Sequence, residues 1–266
     1  MSYKKLGIIL LFIFLCIVTF YFVVLKPEKY VEKDIYDSIM ERGIIKVGIN
    51  IDSKPFGFKN EQGEICGYDA DLARYVAQYI TGNRNNVIFV PVTTHDRLLK
   101  ASTGEVDIVI ATMTITPQRQ QIIDFSIPYD TAGQALLVRS SSKITSIGEL
   151  SGLNVGVIWG TTAEKNMINL VPSANTIGFK TYTEAYRALK NGTIDAITSD
   201  DTILNRFVSD DNQVKILPKR YSREPYGIGF RKGKGSAKLK DALDDAISDM
   251  KQKNVITRLH KQWLGG

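Results

Sequence analysis

The residues best suited to chemistry stand where apolar, β-branched runs stop. Val106 to Ala111 has the content of an interior strand, and Thr112, Met113 and Thr114 follow it directly. Thr116 then Pro117 marks a helix start, a hydroxyl cap followed by proline at the first helical position, which puts Arg119 at the third. A capping box would carry Glu or Gln there, and the positive end of a helix dipole disfavours a cation. Arg119 is therefore better explained by an anion from elsewhere, and its planar fork suits a carboxylate held by two bonds. A surface ion pair is the competing explanation.

Three other strand ends offer polar groups at the same topological position. Asn50 follows the predicted strand Ile44 to Ile49. Gly160, Thr161 and Thr162 follow Asn154 to Ile158 and open a helix, either as a good cap or as free N–H groups that hold an anion. Ser199 and Asp200 follow Asp195 to Thr198; Asp200 is either a solvated loop acid or the partner of an ammonium. An arginine fork, an N–H nest and a carboxylate together match the two ends of an α-amino acid.

Catalytic constellations are thin. His95 and His260 have no Cys or acid at metal-ligand spacing, and no Gly-x-Ser-x-Gly elbow occurs. Gly229 to Ser236 falls short of a phosphate loop because Gly235 separates Lys234 from Ser236. Of two cysteines, Cys16 falls in an apolar N-terminal run, which leaves Cys66 unpaired and rules out a disulfide framework. No metal or cofactor is expected. Phe56, Met113 and Trp159 either line a pocket or serve ordinary packing.

The elements that must position these groups alternate between strand and helix. Leu72, Ala73, Val76, Ala77 and Ile80 repeat at helical spacing up to Gly82, and helices are also expected over 96–102, 161–170, 183–190, 202–208, from Ser236 onward and over 255–263. Strands are expected over 87–92, 176–179, 214–217 and 226–231, and a short helix or stalk over 29–42. Such alternation predicts an α/β protein with parallel or mixed sheets and ligands outside the carboxyl ends of the strands.

Leu6 to Leu25 carries no charge and is flanked by Lys4, Lys5 and Lys26, long enough to span a bilayer. An uncleaved anchor over residues 1–28, with the body on the outer face of the cytoplasmic membrane, is expected over a cleaved signal, which would leave the body secreted. The net charge of +6 is spread over a body in which both signs are interspersed, and nucleic acid is not an expected partner outside the membrane.

Several blocks in order, GIIKVGIN, GYDADLARYVA, VDIVIATMTITPQRQQIIDFSIPY, SIGELSGLNVGVIWGTTAEKN, EAYRALKNGTIDAITSDD and EPYGIGFRKG, resemble the extracytoplasmic solute-binding proteins of polar amino-acid ABC importers, bacterial solute-binding protein family 3. The resemblance implies a two-lobed type II periplasmic-binding-protein fold, each lobe a mixed sheet flanked by helices. Lobe 1 would be 44–130 with 227–266, lobe 2 would be 134–222, and the hinge would lie near 129–133 and 222–226. It implies that Arg119 grips an α-carboxylate, helped by Thr114 and the loop 160–162, and that Asp200 takes the α-ammonium. Arg97 matches an arginine in an aspartate/glutamate receptor, and Asn50 stands where receptors for basic amino acids, and some for glutamine, carry an acid. Together they lean toward glutamate, aspartate or glutamine, while Asp52 and Glu164 keep a basic ligand open. The implied partners are a free amino acid and a membrane permease, with the protein a monomer. The alternative is an enzyme resembling cyclohexadienyl dehydratases.

Overall fold

The computed structural model describes residues 13–17, 19 and 34–265, and the chain divides into a unit of residues 1–33 and a unit of 34–266. Residues 13–17 and 19 are helical; the rest of the expected membrane span lies outside the described residues. Among the described residues no helix is long and apolar enough to cross a membrane.

The second unit contains two five-stranded sheets. The first is built from β1 (Ile45–Asn50), β5 (Val87–Val92), β6 (Ile108–Val109), β7 (Ile123–Phe125) and β15 (Gly229–Arg231), in the order β5-β1-β6-β15-β7. β1 runs parallel to β5 and β6, whereas β15 lies antiparallel between β6 and β7. The second sheet, in the order β11-β10-β12-β9-β13, is made of β9 (Gln134–Arg139), β10 (Asn154–Ile158), β11 (Asn175–Phe179), β12 (Ala196–Asp200) and β13 (Val214–Ile216). β10 is parallel to β11 and β12, and β9 is antiparallel to both its neighbours. Both are mixed sheets in a two-domain α/β arrangement. A two-stranded ribbon, β8 (Asp130–Ala132) against β14 (Glu224–Tyr226), carries the chain between them. Beside the first sheet a small meander is formed by β2 (Asp52–Ser53), β3 (Gly57–Lys59) and β4 (Ile65–Cys66).

Helix periodicity translates directly into packing. The face of Tyr68–Thr81 that carries Leu72, Val76 and Ile80 meets the face of Ser236–Gln252 that carries Leu239, Leu243 and Ile247, all buried. Each such side chain contributes roughly 1.5–3 kcal/mol relative to leaving it in water. Helix ends follow the capping rules: Thr116 accepts from the Arg119 amide, and Thr181 forms a full capping box with Glu184.

Three expectations change, and one open alternative resolves to helix. The strand read over 226–231 is two strands in different sheets, broken at Gly227 and Ile228. The strand read over 106–111 is regular only at Ile108 and Val109, with the Asp107 and Ile110 amides still donating to the Lys46 and Gly48 carbonyls of β1. Ile123–Phe125 is a strand that periodicity did not reveal, since three residues are too few to set a pattern. Residues 35–42 form a helix rather than a stalk: Asp34 caps it, Ile35 and Ile39 are buried, and the Ile35 amide donates to the Lys234 carbonyl.

Candidate functional site

Arg119 emerges from its helix into the space between the two domains and is 9% exposed. Its Nη1 donates to the Thr114 carbonyl at 2.7 Å and its Nη2 to the Gly160 carbonyl at 2.9 Å, so the fork touches both domains. The turn that aims it is unusual. Thr112 has φ +47°, a left-handed conformation that a β-branched residue rarely takes. That turn is held because the Thr112 amide donates to Asp69 at 3.2 Å, and the next residues are tied to the ribbon. The Ile115 amide donates to Pro225, the Gly227 amide to Met113, and Thr114 bridges Tyr226.

Asp200 closes β12 on the other side of the space and is 7% exposed. Tyr226 donates its hydroxyl to Asp200 Oδ2 at 2.5 Å. Burial pushes the Asp200 carboxyl up to about 7, with Tyr226 acting against the shift and Glu224 with it. Burial likewise brings the Arg119 guanidinium down to about 9; nearby Arg97 adds to this, while Asp200 and Glu224 oppose it. Buried groups of opposite charge type from opposite domains therefore lie within each other's field.

Arg97 starts the helix Arg97–Thr103 and points into the same space. It is 3% exposed, donates through Nη1 to the Ala111 carbonyl, and leaves its Nε buried without a partner. Burial lowers its pKa, and Tyr182, Asp200, Tyr129 and Tyr226 act against that shift. Arg97 thus stands among three tyrosines and Asp200.

In the loop after β10, two of the three amides read as an anion nest are already engaged. The Gly160 amide donates to the Glu164 carboxylate at 2.8 Å and the Thr161 amide to Ile158 at 3.3 Å. Glu164 sits in the first turn and satisfies the loop from within, as a capping residue does. What the loop presents toward the first domain is the Gly160 carbonyl and the Thr162 hydroxyl, the latter donating to Glu224 at 2.8 Å. Small cavities flank Arg119 on both sides. One of about 130 Å³ is bounded by Thr94, Arg97, Met113 and Gly160, the other of about 230 Å³ by Thr116, Thr161, Thr162 and Asn166.

Of the residues singled out from the sequence, Arg97, Arg119, Gly160, Thr161 and Thr162 line the two cavities, Thr114 holds Arg119, Asp200 lies in the field of both arginines with Ser199 next to it, and Thr112 shapes the turn that aims Arg119. Asn50 is buried at the end of β1, and its Oδ1 is occupied by the Asp52 amide at 2.8 Å. Met113 is fully buried in a cluster with Ile123 and Phe125 and touches only the smaller cavity. Trp159 packs over Gly178 and is 39% exposed, away from the charged groups. Phe56 is buried edge-on to Tyr68 and Tyr226.

Sequence reasoning missed Asp69, Tyr182, Glu224 and Tyr226. Asp69 is 1% exposed and accepts from Thr112 and from the Tyr129 hydroxyl; burial pushes its carboxyl up to about 7. Nothing in the sequence set it apart from Asp71, the second acid of the same first turn. Among the described residues no group of His, Cys, Asp and Glu could hold a metal ion.

Residues 45–266 match the family model of bacterial extracellular solute-binding proteins, family 3. The ABC transporter glutamine-binding protein GlnH of Bacillus subtilis (strain 168) is 35% identical over 241 residues, covering 90% of this chain and 88% of that protein. The glutamine-binding protein of Geobacillus stearothermophilus is 39% identical over 198 residues, covering 74% and 76% respectively. Among solved structures, an ancestral arginine-binding protein bound to glutamine superposes with a TM-score of 0.78 at 35% identity, covering 85% of this chain and 99% of its own.

Proposed function

Because the chain belongs to the bacterial extracellular solute-binding proteins of family 3, we propose that it binds a free polar L-amino acid between its two domains and delivers it to an ABC importer permease. The observation that carries this reading is the placement of Arg119 and Asp200, two buried groups of opposite charge type contributed by opposite domains and within each other's field. In the proposed complex Arg119 takes the α-carboxylate with Thr114, and Asp200 takes the α-ammonium. Thr112, Ser199 and the loop 160–162 complete the wall. Gly160 presents its carbonyl there and Thr162 its hydroxyl.

For the side chain, Arg97 offers a guanidinium with an unpartnered Nε, which favours an acceptor such as the amide of glutamine or the carboxylate of glutamate or aspartate. Two glutamine-binding relatives support the same choice, with glutamine first. The proposed moving parts are 44–130 with 227–266 against 134–222, swinging near 129–133 and 222–226. Ligand contacts on both parts exist together only when they close, so ligand favours the closed form that a permease would read. The body works on the extracytoplasmic side, and a tether through residues 6–25, with a monomeric body, completes the proposal.

The test is calorimetry of the purified chain against the common amino acids, led by L-glutamine, with Arg119→Ala and Asp200→Ala. Each substitution should abolish measurable binding while circular dichroism stays unchanged. Undiminished affinity in both variants sinks the assignment. An enzyme of the cyclohexadienyl dehydratase kind needs a further acid or base near the carboxylate site. Both Asp69 oxygens are engaged in holding the Thr112 turn and Tyr129, and the relatives named above are binding proteins. Turnover of prephenate or arogenate would decide for the enzyme.

A further inference from the structure

Asp52, in the small meander beside the first sheet, makes both its carboxylate hydrogen bonds to the second domain. Oδ2 accepts from the Tyr182 amide at 2.8 Å, and Oδ1 accepts from the Thr183 hydroxyl at 2.9 Å. Tyr182 is the first residue of the helix Tyr182–Lys190. That helix already has a complete capping box, in which Thr181 takes the Glu184 amide and Glu184 takes the Thr181 amide. The Tyr182 N–H is left over by that box, at the positive end of the helix dipole, and a carboxylate from the other domain fills the vacancy.

We propose that Asp52 is a positioning residue that clasps the two domains over the ligand and seats Tyr182 in the cleft. This rests on the reading of the cleft as an amino-acid site. Two observations extend it beyond a surface contact. The loop that presents Asp52 is fixed to the end of β1, because the Asp52 amide donates to Asn50 Oδ1. The Tyr182 ring, 3% exposed, lies beside Ser199, whose hydroxyl is 3.4 Å from its own, and in the field of Arg97 and Asp200. Asn50 thereby acquires a role different from direct ligand contact: it holds the loop that holds the second domain.

The clasp joins residues 130 positions apart and exists only while the domains are together. Ligand leaves by opening, so loss of the clasp raises the dissociation rate more than it lowers the association rate. Hydrogen bonds to a charged group are worth enough that removing this pair amounts to about tenfold or more in affinity.

The experiment is stopped-flow and calorimetric binding of L-glutamine to the full chain and to Asp52→Ala, Asp52→Asn and Thr183→Val. Asp52→Ala should release the amino acid about tenfold faster, with an association rate near that of the unmodified chain, and the other two should fall between. An unchanged dissociation rate in Asp52→Ala overturns the proposal. If Asp52→Ala does not fold, unchanged rates in both Asp52→Asn and Thr183→Val overturn it equally. Should the unmodified chain bind neither L-glutamine nor any common amino acid, the reading of the cleft fails separately. The clasp is then decided by X-ray scattering in buffer alone: a larger radius of gyration for Asp52→Ala supports it, and equal radii refute it.

Discussion

At the scale of single residues, the clearest consequence is a pH dependence centred on Asp200. Burial lifts its carboxyl to about 7, far above the ordinary range of an exposed aspartate. For folding, the sign is that of a raised acid. The shut, ligand-free cleft is most stable below about pH 4, where the unfolded chain's aspartate is also protonated, and loses that advantage as pH rises through about 7. For binding the sign reverses, because an ammonium partner needs the ionised carboxylate. Affinity for L-glutamine should therefore be about tenfold weaker near pH 6 than near pH 8, measured by calorimetry, and Asp200→Asn should flatten that profile. How much of this site could be read in the sequence depends on what made each residue conspicuous. Arg119 stood out because it broke a local helix-start rule. Asp200 stood out because it ended a strand. Glu224 and Tyr226 broke no local rule; their roles come from the ribbon laying them against Thr162 and Asp200, a long-range fact that no short window contains.

At the scale of elements, the ribbon strand β8 is pinned from an unexpected side. His260, on the C-terminal helix Val255–Trp263, lies 3.0 Å through Nε2 from Asp130 Oδ2 and edge-on to Tyr68. The Asp130 carboxylate beside it raises the His260 pKa against the opposing effect of burial. A raised histidine stabilises fully below its unfolded pKa of about 6.5, and the contribution is lost as pH rises through the elevated value. His260→Gln should consequently lower the melting temperature at pH ~5.5 more than at pH ~8.5, by thermal unfolding; an equal loss at both would deny the pair a role in stability. Long amphipathic helices such as Tyr68–Thr81 and Ser236–Gln252 were legible because one buried face repeats every third or fourth residue. The division of 224–231 between two sheets was not. Both pieces are three residues long, and only pairing partners distinguish them.

At the scale of the whole molecule, the two domains meet at one close approach of backbone to backbone, on which the proposed closure would depend. Gly160 has φ +78°, and a Cβ there would lie 2.4 Å from the Thr94 carbonyl oxygen and 2.9 Å from the His95 Cα, in the other domain. Neither neighbour is a flexible side-chain end that could step aside. Gly160→Ala should leave secondary structure intact by circular dichroism while reducing affinity for L-glutamine by at least about tenfold, since the shut form becomes strained. An affinity equal to that of the unmodified chain would mean that binding does not require this approach. The first sheet also carries a consequence for how the chain folds. Its strand β15 comes from residues 229–231 yet sits between β6 and β7, which are more than a hundred positions earlier. The second sheet, by contrast, is complete within residues 134–216. As the chain emerges on the extracytoplasmic side, the first sheet keeps an open slot until residues 229–231 arrive, whereas the second sheet has all its strands once residue 216 is out.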